Sequence, residues 1–183
     1  MTTQRRATIE DLYRVSGDHK AELVDGEIVI MEASGFLPSR AAGAIYRSLD
    51  AYERRTHSGY AFGDSAGFVV HLPNRDSFSP DAAYYVGPAS GMRFLEGAPI
   101  FAVEVRSEND YGLSAERRMA AKRADYFAAG TVVVWDVDLL SADVVRKYER
   151  ELPDRPVIYR RGEVADAEPA LPGWRMPVDD LFD

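Results

Sequence analysis

Three charged residues interrupt apolar patterns in this 183-residue chain: two carboxylates, the type that holds a hard metal ion, and one lysine. In the segment IFAVEVR, Glu104 stands in the middle of a run that otherwise has the composition of a buried strand. Asp81 opens the run DAAYYV directly after Pro80, at a strand terminus, where side chains can converge on a site. Further along, Ala115, Met119, Lys122 and Tyr126 recur at the spacing of one helix face. Lys122 is therefore set into an apolar stripe, while Arg117, Arg118 and Arg123 are expected to point to water. An unpaired buried ion costs several kcal/mol even after relaxation, so the three side chains are expected to meet. Two carboxylates supply oxygen ligands of the kind Mg²⁺ or Mn²⁺ takes, with several waters retained. Such an ion lowers the pKa of a bound water and offsets charge on a phosphoryl oxygen, and a neighbouring lysine can orient or deprotonate that water. A Lys–Glu pair that only stabilises packing, beside an aspartate that only opens a turn, would look the same. The pattern by itself leaves both readings open.

The elements that must carry these residues are legible in outline. Thr8 followed by Asp11 has the form of a capping box for a short helix, Ile9 to Val15. KAELVDGEIVIM reads as an N-terminal hairpin: Ala21–Val24, a type I′ turn at Asp25-Gly26, and Glu27–Met31. A helix is expected from about Ser39 to Arg55, with Ala42, Ile45, Leu49 and Tyr52 on one stripe. Strands are expected at Gly67–Leu72, Asp81–Val86 and Ile100–Arg106, with the Pro-bounded loop PNRDSFSP between the first two. Ser114 is the expected cap of a helix reaching about Ala129, with Gly130 at its C′ position. The apolar, β-branched run Thr131–Val137 suits a central strand covered on both faces. Asp143–Tyr148 and Val157–Tyr159 read as a late β pair. No linker divides the chain, so one mixed α/β domain is expected over residues 1–183, its core at about 8–160 and an acidic segment at 162–183.

Composition narrows the class. Hydrophobic residues make up 46%, which excludes a disordered chain, and the absence of cysteine excludes a disulfide scaffold and any thiolate site. No run approaches the length of a membrane span and the N-terminus has no apolar signal region, so a soluble, cytoplasmic protein is expected. The net charge is −8, but Gly162–Asp183 alone carries six acids and one base. From Ser114 to Ala129 the balance is reversed, with four bases and two acids. The total therefore does not exclude a polyanionic partner. Arg40, Arg47, Arg54 and Arg55 could track a phosphate backbone, although a solvated helix face has the same composition. Tyr84, Tyr85, Trp135 and Trp174 could stack on bases, yet strand aromatics more often belong to the core.

Other chemistry finds little support. Gly63-Asp64-Ser65-Ala66-Gly67 fits the G-x-S-x-G pattern, but a strand follows it instead of the helix a nucleophile elbow requires. His19, His57 and His71 have no zinc-ligand spacing, and both phosphate-binding glycine motifs are absent. Two carboxylates could also suggest a glycosidase, but the aligned lysine favours the metal reading.

SPDAAYYV, EGAPIFAVEVRSEND and AAKRADYFAAGTVVVWDVD, in this order, resemble the signature blocks of the Uma-two-like family of bacterial restriction-endonuclease-like proteins, in the PD-(D/E)XK nuclease superfamily. ELVDGEIVIM, GDSAGFVV and LPGWRMPVDDLF extend the likeness from about residue 8 to the C-terminus. The resemblance implies a restriction-endonuclease-like core, a mixed central β-sheet flanked by helices, with a Mg²⁺ or Mn²⁺ site for hydrolysing phosphodiester bonds in DNA. It matches Asp81 and Glu104 to the family's metal-binding acids and Lys122 to its helix-borne lysine. Glu22 matches an N-terminal glutamate that completes the outer shell of the metal. Cleavage of both strands would suit a homodimer. Arg106, two residues after Glu104 and on its face, departs from the family pattern and could either assist or pair with Glu104. Ser107-Glu108 replaces a usual Ser-Pro, and Pro38 stands where the family often has a histidine. Arg106 and the net charge keep a second reading open, a non-catalytic nuclease-fold module that binds nucleic acid or a protein partner.

Overall fold

Thr8 starts the first helix by a reciprocal cap: its side chain accepts from the Asp11 N–H while the Asp11 carboxylate accepts from the Thr8 N–H. In the computed structural model, which describes residues 5–17 and 19–183, that helix is α1, Ile9–Ser16. The hairpin follows as β1, Ala21–Val24, and β2, Glu27–Ile30. Asp25 and Gly26 both have positive φ, 52° and 78°, as a type I′ turn requires. Helix α2 spans Phe36–Thr56 and so begins three residues before the expected Ser39. Pro38 lies in its first turn, where the missing N–H would have had no helical partner.

The remaining elements are β3, Tyr60–Phe62; β4, Phe68–Val69; β5, Ser77–Phe78; β6, Ala82–Tyr85; β7, Leu95–Glu96; β8, Phe101–Val105; α3, Leu113–Ala129; β9, Val133–Val137; β10, Val145–Glu149; β11, Leu152–Tyr159; β12, Val164–Asp166; and β13, Arg175–Pro177. A 3₁₀ turn at Val178–Leu181 closes the chain. Ser114 lies inside α3 and not at its cap, a place taken by Gly112 at φ 91°. Six strands form the main sheet in the order β11-β10-β9-β8-β6-β3, and only β8 and β9, joined through α3, run parallel. The late β pair is part of this sheet, because β10 pairs with β9 along its whole length. A small sheet, β5-β4-β7, and the pair β12–β13 complete the structure.

Alternation along the central strands sorts their side chains to two faces. Tyr84, Phe101, Val103, Trp135 and Val145 point to one face, where Ile45, Leu49 and Tyr52 of α2 cover them. The acidic C-terminal segment packs there too. It inserts Leu171, Trp174, Met176 and Leu181, and the Phe101, Trp135 and Trp174 rings lie 5.1–5.5 Å apart. Ala83, Tyr85, Ala102 and Val134 point to the other face, against Tyr126 of α3 and Phe68, Phe78 and Leu95 of the small sheet. Asp81 and Glu104 share the parity of this second set, so both carboxylates face the α3 side. This is the expected fold class: a mixed sheet between helical layers, with an N-terminal hairpin. Among the described residues no helix is long and apolar enough to cross a membrane.

Candidate active site

Strand register brings the two acids together. Ala82 pairs with Val103 in the antiparallel β6–β8 ladder, so Asp81, one residue earlier, stands across from Glu104. The Asp81 N–H donates to the Val103 carbonyl at 3.0 Å, and the Val105 N–H donates to Asp81 Oδ2 at 2.7 Å. Asp81 is thereby held to the strand that carries Glu104.

Helix α3 crosses this face and delivers Lys122. Its ammonium lies 2.9 Å from Glu104 Oε1 and 2.8 Å from Glu22 Oε1. One turn on, the Tyr126 hydroxyl donates to Glu104 Oε1 at 2.7 Å, and the Tyr126 ring stacks on Phe78 with centroids 4.0 Å apart. The hairpin supplies Glu22. Strand β1 docks against β5 through Leu23, whose N–H donates to Ser77 Oγ at 2.8 Å. Glu22 also accepts from the Ser79 N–H at 2.8 Å and from Arg75 Nη1 at 2.6 Å, and Asp125 of α3 accepts from Arg75 Nε at 2.9 Å. All four residues singled out in the sequence thus lie in one cluster, drawn from β1, the start of β6, β8 and α3.

The cluster contains more than the sequence showed. The Lys20 ammonium sits 2.8 Å from Asp81 Oδ1 and 2.6 Å from Asp64 Oδ1. Lys20 precedes Glu22 by two residues, a shared-face signal that was available. Tyr126 stood on the same helical stripe as Lys122. Asp64 and Arg75 carried no such signal, because they reach the site from loops 44 and 53 residues from their partners Lys20 and Glu22. The Gly63–Gly67 loop has no nucleophile elbow: β4 follows it, and Ser65, at φ 72°, donates its N–H to the Asp64 carboxylate.

Arg106 does not pair with Glu104. Its guanidinium grips Asp136 of β9 through two hydrogen bonds of 2.8 and 2.7 Å and also pairs with Glu116 of α3. Arg123 is also not free in water; its guanidinium lies 3.6 Å from the centre of the Tyr148 ring. Tyr84, Tyr85, Trp135 and Trp174 are buried in the core.

The charges push on one another strongly. Burial moves the Glu104 carboxyl up; Lys122 pulls it back, and the Asp81 and Glu22 charges leave it above the usual carboxylate range. Burial also acts on Glu22, but Lys122 and Arg75 outweigh it and hold that carboxyl low. Lys122 is buried, yet its two glutamates keep its pKa above that of an ordinary lysine, so it is an ammonium at neutral pH. Five carboxylates (Glu22, Asp64, Asp81, Glu104 and Asp125) face three cations (Lys20, Arg75 and Lys122), a formal surplus of −2.

That surplus and the donor set fit a divalent cation. Glu104 Oε2 makes no hydrogen bond among the described residues and is not sealed from solvent, so it is available as a ligand. Asp81, across the ladder from Glu104, has its Oδ1 bound to Lys20. Among the described residues no third acid or histidine converges with these two on one point, so water would fill the remaining positions, as Mg²⁺ prefers.

The family model that matches this chain, over residues 7–179, is Uma2, described as "Putative restriction endonuclease". Among solved structures the fold is similar to that of a "putative nuclease belonging to DUF820" from Anabaena variabilis ATCC 29413, with a TM-score of 0.69 and 15% sequence identity over 88% of this chain and 89% of that one. No curated protein matches this chain in sequence.

Proposed function

This chain belongs to the Uma2 family, and on that premise we propose that it is a metal-dependent endonuclease that hydrolyses phosphodiester bonds in DNA. One observation carries the reading: two strand-borne carboxylates stand across from each other beside a buried ammonium, in a cluster with surplus negative charge. Asp81 and Glu104 would hold Mg²⁺ or Mn²⁺. Bound there, the ion would supply Lewis acidity toward a phosphoryl oxygen and a water of lowered pKa.

The side chains have distinct parts. Lys122 is an ammonium, so it positions the attacking water by donating a hydrogen bond and does not act as its base. Two of its three protons are engaged by Glu22 and Glu104, which leaves one to donate. Glu22, anchored by Arg75 and the Ser79 N–H, positions Lys122. Tyr126 holds Glu104 Oε1 and so turns Oε2 toward solvent. A phosphodiester approaches with its own negative charge, and the cation is what makes that approach favourable in an acidic cluster.

The second reading, a non-catalytic module of the same fold, loses one motive, since Arg106 is committed to Asp136 and Glu116 and not to Glu104. The test is cleavage of plasmid DNA and of RNA of matched length with Mn²⁺ or Mg²⁺, by wild type, Asp81→Asn and Lys122→Ala. Metal-dependent cleavage of DNA by wild type, reduced at least a hundredfold in either variant, is the expected result. Equal activity in all three would refute the assignment.

A further inference from the structure

Lys20 lies in neither the α3 stripe nor the strand pair, yet its ammonium holds Oδ1 of Asp81, one of the two proposed metal-binding acids. Its side chain is 14% exposed and bridges Asp81 and Asp64 at 2.8 and 2.6 Å. Lys122 makes no contact with Asp81; its partners are Glu22 and Glu104. Asp81 Oδ2 accepts from the Val105 N–H, and a cation that takes Oδ1 meets the Lys20 ammonium there.

We infer that Lys20 is a built-in substitute for the divalent cation: it neutralises Asp81 in the metal-free protein and must leave Asp81 when the metal binds. The inference rests on the metal reading above. The geometry gives the ammonium somewhere to go. Asp64, half exposed, remains as a partner after Asp81 is released. Two hollows flank the bridge, one of about 250 Å³ lined by Asp64 and Asp81, the other of about 260 Å³ lined by Lys20 and Ser79. The Lys20 stem has four rotatable carbons, enough to swing its head between them.

The consequence has a sign. If Lys20 only oriented Asp81, removing it would loosen the metal. If it competes with the metal, removing it tightens binding. Repulsion between a monovalent and a divalent cation about 5 Å apart, even with the screening of bulk water, corresponds to roughly tenfold or more in affinity. Calorimetric titration of Mn²⁺ into wild type, Lys20→Met, Lys20→Arg and Asp81→Asn separates the cases. Lys20→Met should bind at least tenfold more tightly than wild type and Lys20→Arg close to wild type; Lys20→Gln repeats the measurement should the methionine variant not fold. Binding by Lys20→Met alone, with wild type silent, supports the inference most strongly. Affinity equal to or weaker than wild type, and abolished by Asp81→Asn, overturns the inference while the metal reading stands. No binding by any variant overturns both.

Discussion

Replacing Lys122 with methionine removes a charge and keeps most of the packing volume, so its cost isolates the electrostatics of the cluster. Glu22 and Glu104 would each lose an ion pair, at 2.8 and 2.9 Å, in places where their side chains are 4% and 24% exposed. Removing one partner of a buried pair costs about 3–5 kcal/mol. Glu22 retains Arg75 and the Ser79 N–H, and Glu104 is exposed enough to take up a proton, so the low end applies, about 3 kcal/mol at neutral pH. The deficit should depend on pH. The Glu104 carboxyl already lies above the usual range, and losing Lys122, which pulls it down, moves it further up. A carboxyl raised in the folded state penalises folding as pH rises from its unfolded value to its folded one. The variant should therefore lie closer to wild type at pH 5 than at pH 8. Urea denaturation followed by tryptophan fluorescence reads this directly, since Trp135 and Trp174 are both buried in the main core. Adding Glu104→Gln to Lys122→Met should recover more than about 1 kcal/mol, because it removes the uncompensated charge. A loss below about 1 kcal/mol, the same at both pH values, would refute the picture of a buried, mutually dependent cluster.

Two further substitutions test the scaffold. A Cβ at Gly59 would lie 2.5 Å from the Tyr85 carbonyl oxygen and 2.7 Å from Tyr84 Cε1. Gly59→Ala should cost about 2 kcal/mol, a fall in Tm of roughly 4–8 °C by calorimetry; an unchanged Tm would mean that the α2–β3 turn is not close-packed. Arg106→Lys cannot reproduce the two-pronged grip on Asp136 and should lose about 2–3 kcal/mol in urea, with Mn²⁺ affinity unaltered because Glu104 is not its partner. A changed affinity would show that Arg106 acts on the proposed metal-binding acids after all.

Much of this protein can be read from local pattern. The Asp25-Gly26 turn needs positive φ at both residues, and these residue types supply it at little cost, so the hairpin is written in two positions. Glu104 and Lys122 were visible because a charge inside an apolar period must find a partner, whatever the tertiary arrangement. The strands β5, β7, β12 and β13 were not visible, since each has only two or three residues and exists through its partner strand and not through its own periodicity. The start of α2 differs from the expected Ser39 because Pro38 and Ser39 look like a boundary, whereas a proline in the first turn gives up an N–H that has no helical partner and so lets the helix begin at Phe36. The acidic C-terminal segment is set outside the expected core by its charge, yet every second or third residue is apolar and buries against α2 and the sheet.

What residue types and spacing alone determined was which side chains would be costly to leave alone: two acids and an amine in apolar surroundings. Which partners relieve that cost was decided only when β1 docked on β5 and the loops folded over the sheet. Those steps brought Lys20, Asp64 and Arg75 within hydrogen-bonding distance of groups far away in the chain. Periodicity reports the face a residue occupies within one element. Pairing between elements depends on register and loop path, which local sequence does not encode.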